Sequence, residues 1–145
     1  MRIHIQRVLE ASVSVNGKII GQIGKGLLLL VAASAEDTET NLQKLADKCV
    51  NLRIFSDEND KMNLSVKDTG GAILVISNFT LYGDCAKGNR PNFMKAAPSV
   101  LAEELYNKFV SILKETKVPV ETGEFGAMMK VNLINDGPVT LLLEG

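Results

Sequence analysis

The sequence predicts an α+β fold, in which two main helices pack on a curled or barrel-like, mostly antiparallel sheet of about six or seven strands. The chain opens with an alternating stretch that reaches the dipeptide Asn16-Gly17, the strongest short-range signal of a β-hairpin. Two later segments place apolar residues at helical spacing, and strand-like segments surround them. We expect residues 1–145 to form a single domain, because no repeat, linker or change of composition divides the chain.

The first half supplies a hairpin, a central strand and a helix. Residues 2–9 alternate apolar and polar side chains, and the same period continues to the hairpin turn. Residues 27–33 are apolar throughout, which predicts a strand buried on both faces. From about Asp37 to Val50 the apolar positions follow helical spacing, with acidic residues at the start, where the helix dipole favours them. Residues 52–55 then predict a short strand that leads into a turn at 56–60.

The second half predicts a strand at 72–81, a helix at 98–116 and two final strands. Proline near the start of the helix suits its first turn, and the following apolar residues share one face. The two final strands, 128–134 and 139–143, flank the cluster Asn135-Asp136-Gly137-Pro138, whose residue types predict a turn.

Composition argues against a strongly charged or membrane-embedded partner. The net charge is −1, with 46% hydrophobic and 23% charged residues, so any RNA would be bound through a local patch. The apolar runs are too short to cross a bilayer, and the N-terminus alternates too early for a signal peptide. We therefore expect a cytoplasmic protein without membrane or DNA partners, in which Cys49 and Cys85 are reduced thiols.

A single histidine, His4, limits the available chemistry. Every Ser-His-Asp or Cys-His arrangement would need this residue, and its place in an alternating strand favours a plain position on the polar face. No close spacing of His, Cys and carboxylates indicates a zinc site, and the glycines at 21–26 precede a strand rather than the helix of a phosphate loop. We expect no metal or cofactor, which leaves an enzyme without side-chain acid–base machinery or a protein that is not an enzyme.

Two features remain unexplained by packing alone. The stretch "SNFTLYGD", residues 77–84, places polar side chains at the end of a buried strand, where they either satisfy loose backbone groups or form a pocket whose N–H groups stabilise an oxyanion. Arg7 shares the strand parity of Ile3 and Ile5, so its guanidinium is expected on the apolar face. It either extends to solvent at the strand edge or holds exposed main-chain carbonyls, such as those beside a Gly-Pro corner.

Several stretches resemble the D-aminoacyl-tRNA deacylase family. They are "QRV", "ASVSVNGKIIGQIGKGLLLL", "SNFTLYGD", "KGNRPNF" and "FGAMMKVNLINDGPVT". The resemblance covers essentially the whole chain in order. It implies a homodimer without metal or cofactor that hydrolyses the ester joining a D-amino acid, or a mischarged glycine, to the terminal adenosine of tRNA.

The resemblance also implies a catalytic pocket. Ser77, Phe79 and Thr80 would be catalytic and Asn78 would bind substrate, although the family usually has glutamine at this last position. Water, oriented by the ribose 2′-OH, would attack the ester while the N–H of Phe79 or Thr80 steadies the oxyanion. A Thr80 nucleophile is the competing mechanism, and it lacks an evident base.

A chirality filter is implied at the other motif. Gly137 and Pro138 would reach into the pocket of the partner subunit through a cis peptide bond, which the sequence itself does not reveal. Their rigid main chain would bind the substrate ammonium and exclude an L side chain, while glycine would pass. Arg7 would hold the Gly-Pro carbonyls, and Met129 would support them as an apolar neighbour.

The acceptor end of tRNA is the expected partner. Lys87, Arg90 and Lys95 lie in and after the long loop 82–97 and would suit its phosphates, although a solvated basic loop explains them nearly as well. Two other functions stay open: a non-catalytic tRNA-binding or dimerisation module of the same fold, and an esterase or amidase for small D-aminoacyl compounds.

Overall fold

The computed structural model describes the whole chain, Met1–Gly145. Its elements are β1 (Arg2–Val15), β2 (Lys18–Ile23), β3 (Gly26–Ala32), α1 (Glu39–Asn51), β4 (Phe55–Ser56), β5 (Met62–Leu64), β6 (Ala72–Ser77), α2 (Ser99–Glu115), β7 (Val120–Thr122) and β8 (Met129–Glu144). A 3₁₀ turn, Phe79–Tyr82, follows β6. The six-stranded main sheet has the order β2-β1-β3-β6-β7, with β8 on the other edge of β1, and β4 pairs with β5 separately.

The main sheet curls until its two ends meet. Strand β2 begins the strand order and β7 ends it, yet β2 contacts β6 and β7. The approach is close at Gly21, where an added Cβ would lie 2.7 Å from the carbonyl oxygen of Thr122. The predicted α+β fold with two main helices and a curled sheet is confirmed.

Antiparallel pairing dominates around β1, and the crossovers through the helices give parallel pairs. Strand β1 is antiparallel to β2, β3 and β8. Pairs β3–β6 and β6–β7 are parallel, because α1 and α2 lie in the connections that return the chain to the same end of the sheet. The predicted hairpin is confirmed: Asn16 and Gly17 have φ of 51° and 78°, the left-handed pair that a type I′ turn requires.

The core has two parts, one on each face of β3. Leu27 and Leu29 belong to a cluster of 26 buried residues that includes the inner faces of α1 and α2. Leu28 belongs to a second cluster of seven, enclosed by the curl of the sheet. The prediction that this strand is buried on both faces is therefore confirmed. Neither helix is long and apolar enough to span a membrane.

The predicted first helix is confirmed, whereas the short strand after it was mostly wrong. The helix starts at Glu39, because Thr38 caps it and forms a reciprocal capping box with Asn41. The strand predicted at 52–55 is reduced to Phe55–Ser56, since Leu52 is the C-cap of α1 and donates its N–H to Lys48. The short strands β5 and β7 were not predicted, because each has only three residues and no clear alternation.

The prediction of one strand over 72–81 was also wrong. Strand β6 ends at Ser77, and Asn78 then caps the 3₁₀ turn by accepting the N–H of Thr80 on its side-chain oxygen. A side chain that offers the backbone such a local acceptor competes with sheet pairing. Polar residues at the end of this strand therefore redirect the chain into a separate element.

The two final strands that were predicted are one strand, β8, of 16 residues. The predicted turn at 135–138 does not reverse the chain, because β1 pairs with β8 on both sides of it, from Arg2 opposite Glu144 to Val15 opposite Met129. The cluster is instead an irregularity within a long ladder, and it forms part of the candidate site.

Candidate active site

The ladder between β1 and β8 breaks opposite Arg7. Gln6 pairs with Thr140 and Val8 pairs with Asn135, so the single residue Arg7 faces the four residues 136–139. We call this four-residue bulge the Gly-Pro corner. Its Gly137–Pro138 peptide bond is cis, and both residues are exposed. The corner therefore presents main chain to solvent with very little side chain around it.

Arg7 fixes the corner from inside the sheet. The residue is 7% exposed, and its guanidinium donates to the carbonyl oxygens of Asp136 (3.2 Å), Gly137 (3.3 Å) and Ile54. The Asp136 carboxylate lies 2.9 Å from Nε and balances the charge, while the Phe55 ring lies 6.0 Å from Cζ. A planar fork with donors in several directions suits three acceptors that no single ammonium could reach.

The polar end of β6 offers unused donors. In the 3₁₀ turn, Asn78 Oδ1 accepts both the N–H of Thr80, at 3.3 Å, and its hydroxyl. The N–H of Phe79 and the hydroxyl of Ser77 donate to no group of the chain. Donors that project from a strand end next to a rigid turn can stabilise a developing negative charge. An amide oxygen is too weak a base to activate the Thr80 hydroxyl.

Two residues that sequence analysis did not assign hold this turn. Phe93 packs edge-on against Phe79, with ring centroids 5.1 Å apart. Arg2 donates to the carbonyl oxygen of Leu81 at 3.0 Å and lies 4.7 Å from the centroid of the Tyr82 ring. The aromatic residue that closes the "KGNRPNF" stretch was the only available signal for Phe93, and nothing in the sequence links Arg2 to a residue 79 positions away.

The predicted tRNA-binding residues follow the turn along the chain. Lys87 and Arg90 are exposed in a loop closed by the bridge between Asp84 and Asn92. Lys95 lines an open groove of about 660 Å³. The groove is also lined by Arg2, Tyr82, Met94 and Glu36.

Neither Tyr82 nor His4 offers an acid or base to the turn. Burial, with the nearby charge of Asp37, raises the pKa of Tyr82, so its phenol stays protonated at neutral pH. His4 lies within β1, opposite Leu30 and Leu142, and makes no hydrogen bond to the turn. Main-chain donors such as the Phe79 N–H are therefore available to this site where these two side chains are not.

The corner and the turn lie far apart within one copy of the protein. Ser77 pairs with Val31, and Val31 pairs with Ile3, four residues along β1 from the corner's partner Arg7. Four residues of strand span about 13 Å, and Ser77 lies two further strands away across the sheet. One chain alone does not bring Ser77 to Gly137.

Met129, predicted as an apolar neighbour of the Gly-Pro carbonyls, lies far from the corner of its own chain. It pairs with Val15, eight residues along β1 from Arg7, which corresponds to about 26 Å of strand. Its side chain packs on the smaller core cluster, where its sulphur would lie 2.5 Å from a Cβ added at Gly123. Met129 therefore cannot support the corner of its own chain, because a continuous strand separates them.

Comparisons with known proteins agree along the whole chain. The profile of the D-Tyr-tRNA(Tyr) deacylase family matches residues 4–144. A D-aminoacyl-tRNA deacylase of Brevibacillus brevis is 59% identical over 144 residues, covering 99% of this chain and 99% of the relative. Another, of Clostridium botulinum, is 57% identical over 144 residues, covering 99% of this chain and 97% of the relative.

Two solved structures are similar to this one. A structure titled c-Myc DNA Unwinding Element Binding Protein has a TM-score of 0.93 at 43% identity, covering 100% of this chain and 99% of that one. A structure titled as a probable eukaryotic D-amino acid tRNA deacylase has a TM-score of 0.82, covering 98% of this chain and 97% of that one. At 18% identity, the second likeness shows the fold alone.

We predict that Arg7→Lys destabilises the chain by about 1–3 kcal/mol, because a lysine cannot serve three carbonyls and leaves buried acceptors unpaired. Arg53→Lys is the matched control, because Arg53 donates to the main chain and the side chain of Asn63 but is exposed. This control should lose no more than about 0.5 kcal/mol of the free energy of unfolding. Urea unfolding of the two variants measures the difference, and equal losses would contradict the role of Arg7.

Proposed function

The chain belongs to the D-Tyr-tRNA(Tyr) deacylase family, and we propose that it applies a chirality test made of main chain to the D-aminoacyl-tRNA that it hydrolyses. The family supplies the reaction: water cleaves the ester between the amino acid and the terminal ribose, releasing free D-amino acid and tRNA. The observation that carries the chirality test is the Gly-Pro corner, an exposed main-chain surface held from behind by Arg7.

The corner suits a substrate that is recognised by its Cα alone. Gly137 O accepts one hydrogen bond from Arg7, and a carbonyl oxygen has a second lone pair that an α-ammonium can use. With the ammonium and the ester both fixed, the substituent of an L-amino acid points into the rigid corner, whereas that of a D-amino acid points away. Rejection by a clash is indifferent to side-chain type. Mischarged glycine has nothing to clash, so it is hydrolysed as well.

A second copy of the chain completes this site. The separation of Gly137 from Ser77 within one chain supports a site in which the corner serves the turn of a partner. Strand β8 carries apolar side chains that one chain leaves open: Leu133, Ile134 and Leu142 are 36%, 50% and 56% exposed. Covering such residues in a homodimer removes apolar area from water and orders the corner at the interface.

Hydrolysis in the turn uses water as the nucleophile. The water oxygen attacks the ester carbonyl carbon, and the N–H of Phe79, which is unused within the chain, donates to the resulting oxyanion. The Ser77 hydroxyl is a second donor. As the tetrahedral intermediate collapses, the bond to the ribose 3′ oxygen breaks, and that oxygen takes up the proton given up by water, with the neighbouring 2′-OH orienting the exchange.

The remaining polar residues bind and position the substrate. Asn78 uses its oxygen to cap Thr80, which leaves its amide protons free for the substrate, one methylene short of the usual glutamine. Lys87, Arg90 and Lys95 contact phosphates of the acceptor end, and they supply no base readout. The partner is therefore the shared 3′ end of tRNA, without specificity for one amino acid.

Deacylation of tyrosyl-tRNA tests this function. The wild-type chain should release D-tyrosine from D-Tyr-tRNA in the presence of a metal chelator while L-Tyr-tRNA survives, because the corner excludes the L side chain. Equal rates on both substrates would contradict the chirality test. Binding of D-Tyr-tRNA without turnover would identify a non-catalytic tRNA-binding module, and hydrolysis of D-tyrosine esters without tRNA at the same rate would identify a small-molecule esterase.

Replacement of Thr80 separates the two mechanisms. With water as nucleophile, Thr80→Ala removes only the hydroxyl bond to Asn78 and should retain activity within about tenfold. A nucleophile role would instead make the loss larger than about 10⁴-fold in kcat. Thr69→Ala is the control, because it removes a comparable hydroxyl bond, to the carbonyl oxygen of Val66, far from the turn. Single-turnover rates on D-Tyr-tRNA decide between them.

A further inference from the structure

The neck of the Gly-Pro corner is closed by one side chain, that of Asn135. Its Nδ2 donates to the carbonyl oxygen of Arg7 at 2.9 Å and to the carbonyl oxygen of Val139 at 3.1 Å. Arg7 lies on the facing strand β1, and Val139 is the last residue of the bulge. One amide group therefore connects β8 to β1 and also connects the two ends of the bulge. Both of its protons are used, which fixes the orientation of the amide, because two carbonyls can only face its nitrogen.

This link is the counterpart of the Arg7 contact. The side chain of Arg7 reaches outward to Asp136 O and Gly137 O, while its own carbonyl accepts from Asn135. The ladder gives residues 136–139 no pairing partner on β1, so these two attachments replace the strand hydrogen bonds that the bulge interrupts. Arg7 binds the carbonyls of Asp136 and Gly137, and Asn135 links the two ends of the corner.

We propose that Asn135 is a positioning residue for chirality, acting through the corner without contacting the substrate's reacting atoms. The inference rests on the proposed function of the corner. A filter that works by clash depends on close positioning, because a misplacement of about 1 Å can already change a rate by about 100-fold. Asn135 is exposed and adds nothing to the core, so its contacts bear on the geometry of the corner more than on global stability.

The nearest heavy atom to the corner's glycine supports this placement. A Cβ built on Gly137 finds only the Asn135 side-chain oxygen, at 4.0 Å. The amide therefore lies directly beside the exposed face of Gly137, and its movement would open space next to the position where the substrate Cα is held. Asn135 therefore borders the exposed side of Gly137 as well as closing the neck of the corner.

The test compares D-Tyr-tRNA with L-Tyr-tRNA for Asn135→Ala and Asn135→Asp. Losing two neutral hydrogen bonds should lower the D-to-L ratio of kcat/KM by about tenfold or more, with a rise in the L rate. Asparagine and aspartate have the same shape, but an ionised aspartate cannot donate to the two carbonyls, so this variant should lower the ratio as well. The control Asn107→Ala removes an exposed α2 asparagine that makes no hydrogen bond and should leave the ratio unchanged.

Hydrogen exchange of the Val8 and Thr140 amides, in the ladder pairs that flank the corner, provides a readout that does not depend on activity. Exchange should accelerate in Asn135→Ala and not in Asn107→Ala. If the alanine variant melts at a much lower temperature, Asn135→Ser, which keeps one donor, should give an intermediate ratio. An unchanged ratio with unchanged exchange would overturn the inference while D-specific activity of the wild type upheld the function. A wild type without D-specific activity would refute the function itself.

Discussion

The buried guanidinium of Arg7 is the interaction on which the site depends. Its charge requires acceptors, and β8 and the segment after α1 supply them. An unpaired buried charge would cost several kcal/mol, so the surrounding chain must supply oxygens in the directions of the fork. Strand β8 does so by bulging opposite Arg7, and Ile54, after α1, supplies another carbonyl. Without these hydrogen bonds the carbonyls of the bulge would lose their attachment to β1.

Main-chain groups carry the proposed recognition and the proposed chemistry. The corner offers carbonyls and the 3₁₀ turn offers the Phe79 N–H, while the side chains around them hold these groups in place. Such a site reads the features that every aminoacyl ester shares, namely the ammonium, Cα and the carbonyl. The two halves lie apart within one chain, so under the proposed function specificity and catalysis meet between two copies.

Local patterns in the sequence predicted most of the fold. The Asn16-Gly17 hairpin follows from residues that accept positive φ, and the burial of Arg7 follows from strand parity. The bulge in β8 did not follow, because a Gly-Pro cluster is equally suited to a chain reversal, and only pairing with a distant strand decides between them. The family resemblance gave Met129 a role but no information on its distance from the corner. The 3₁₀ turn was not predicted, because it depends on a single side-chain cap, that of Asn78.

The central claim, that the corner of one chain serves the turn of another, is tested most directly by mixing two inactive variants. Gly137→Val obstructs the corner, and Phe79→Pro removes the N–H donor at the first position of the turn, where proline is tolerated. Coexpressed in equal amounts, they should recover about one quarter of wild-type D-Tyr-tRNA deacylation, because half of the dimers then contain one intact composite site of two. A mixture as inactive as either variant alone would contradict the claim.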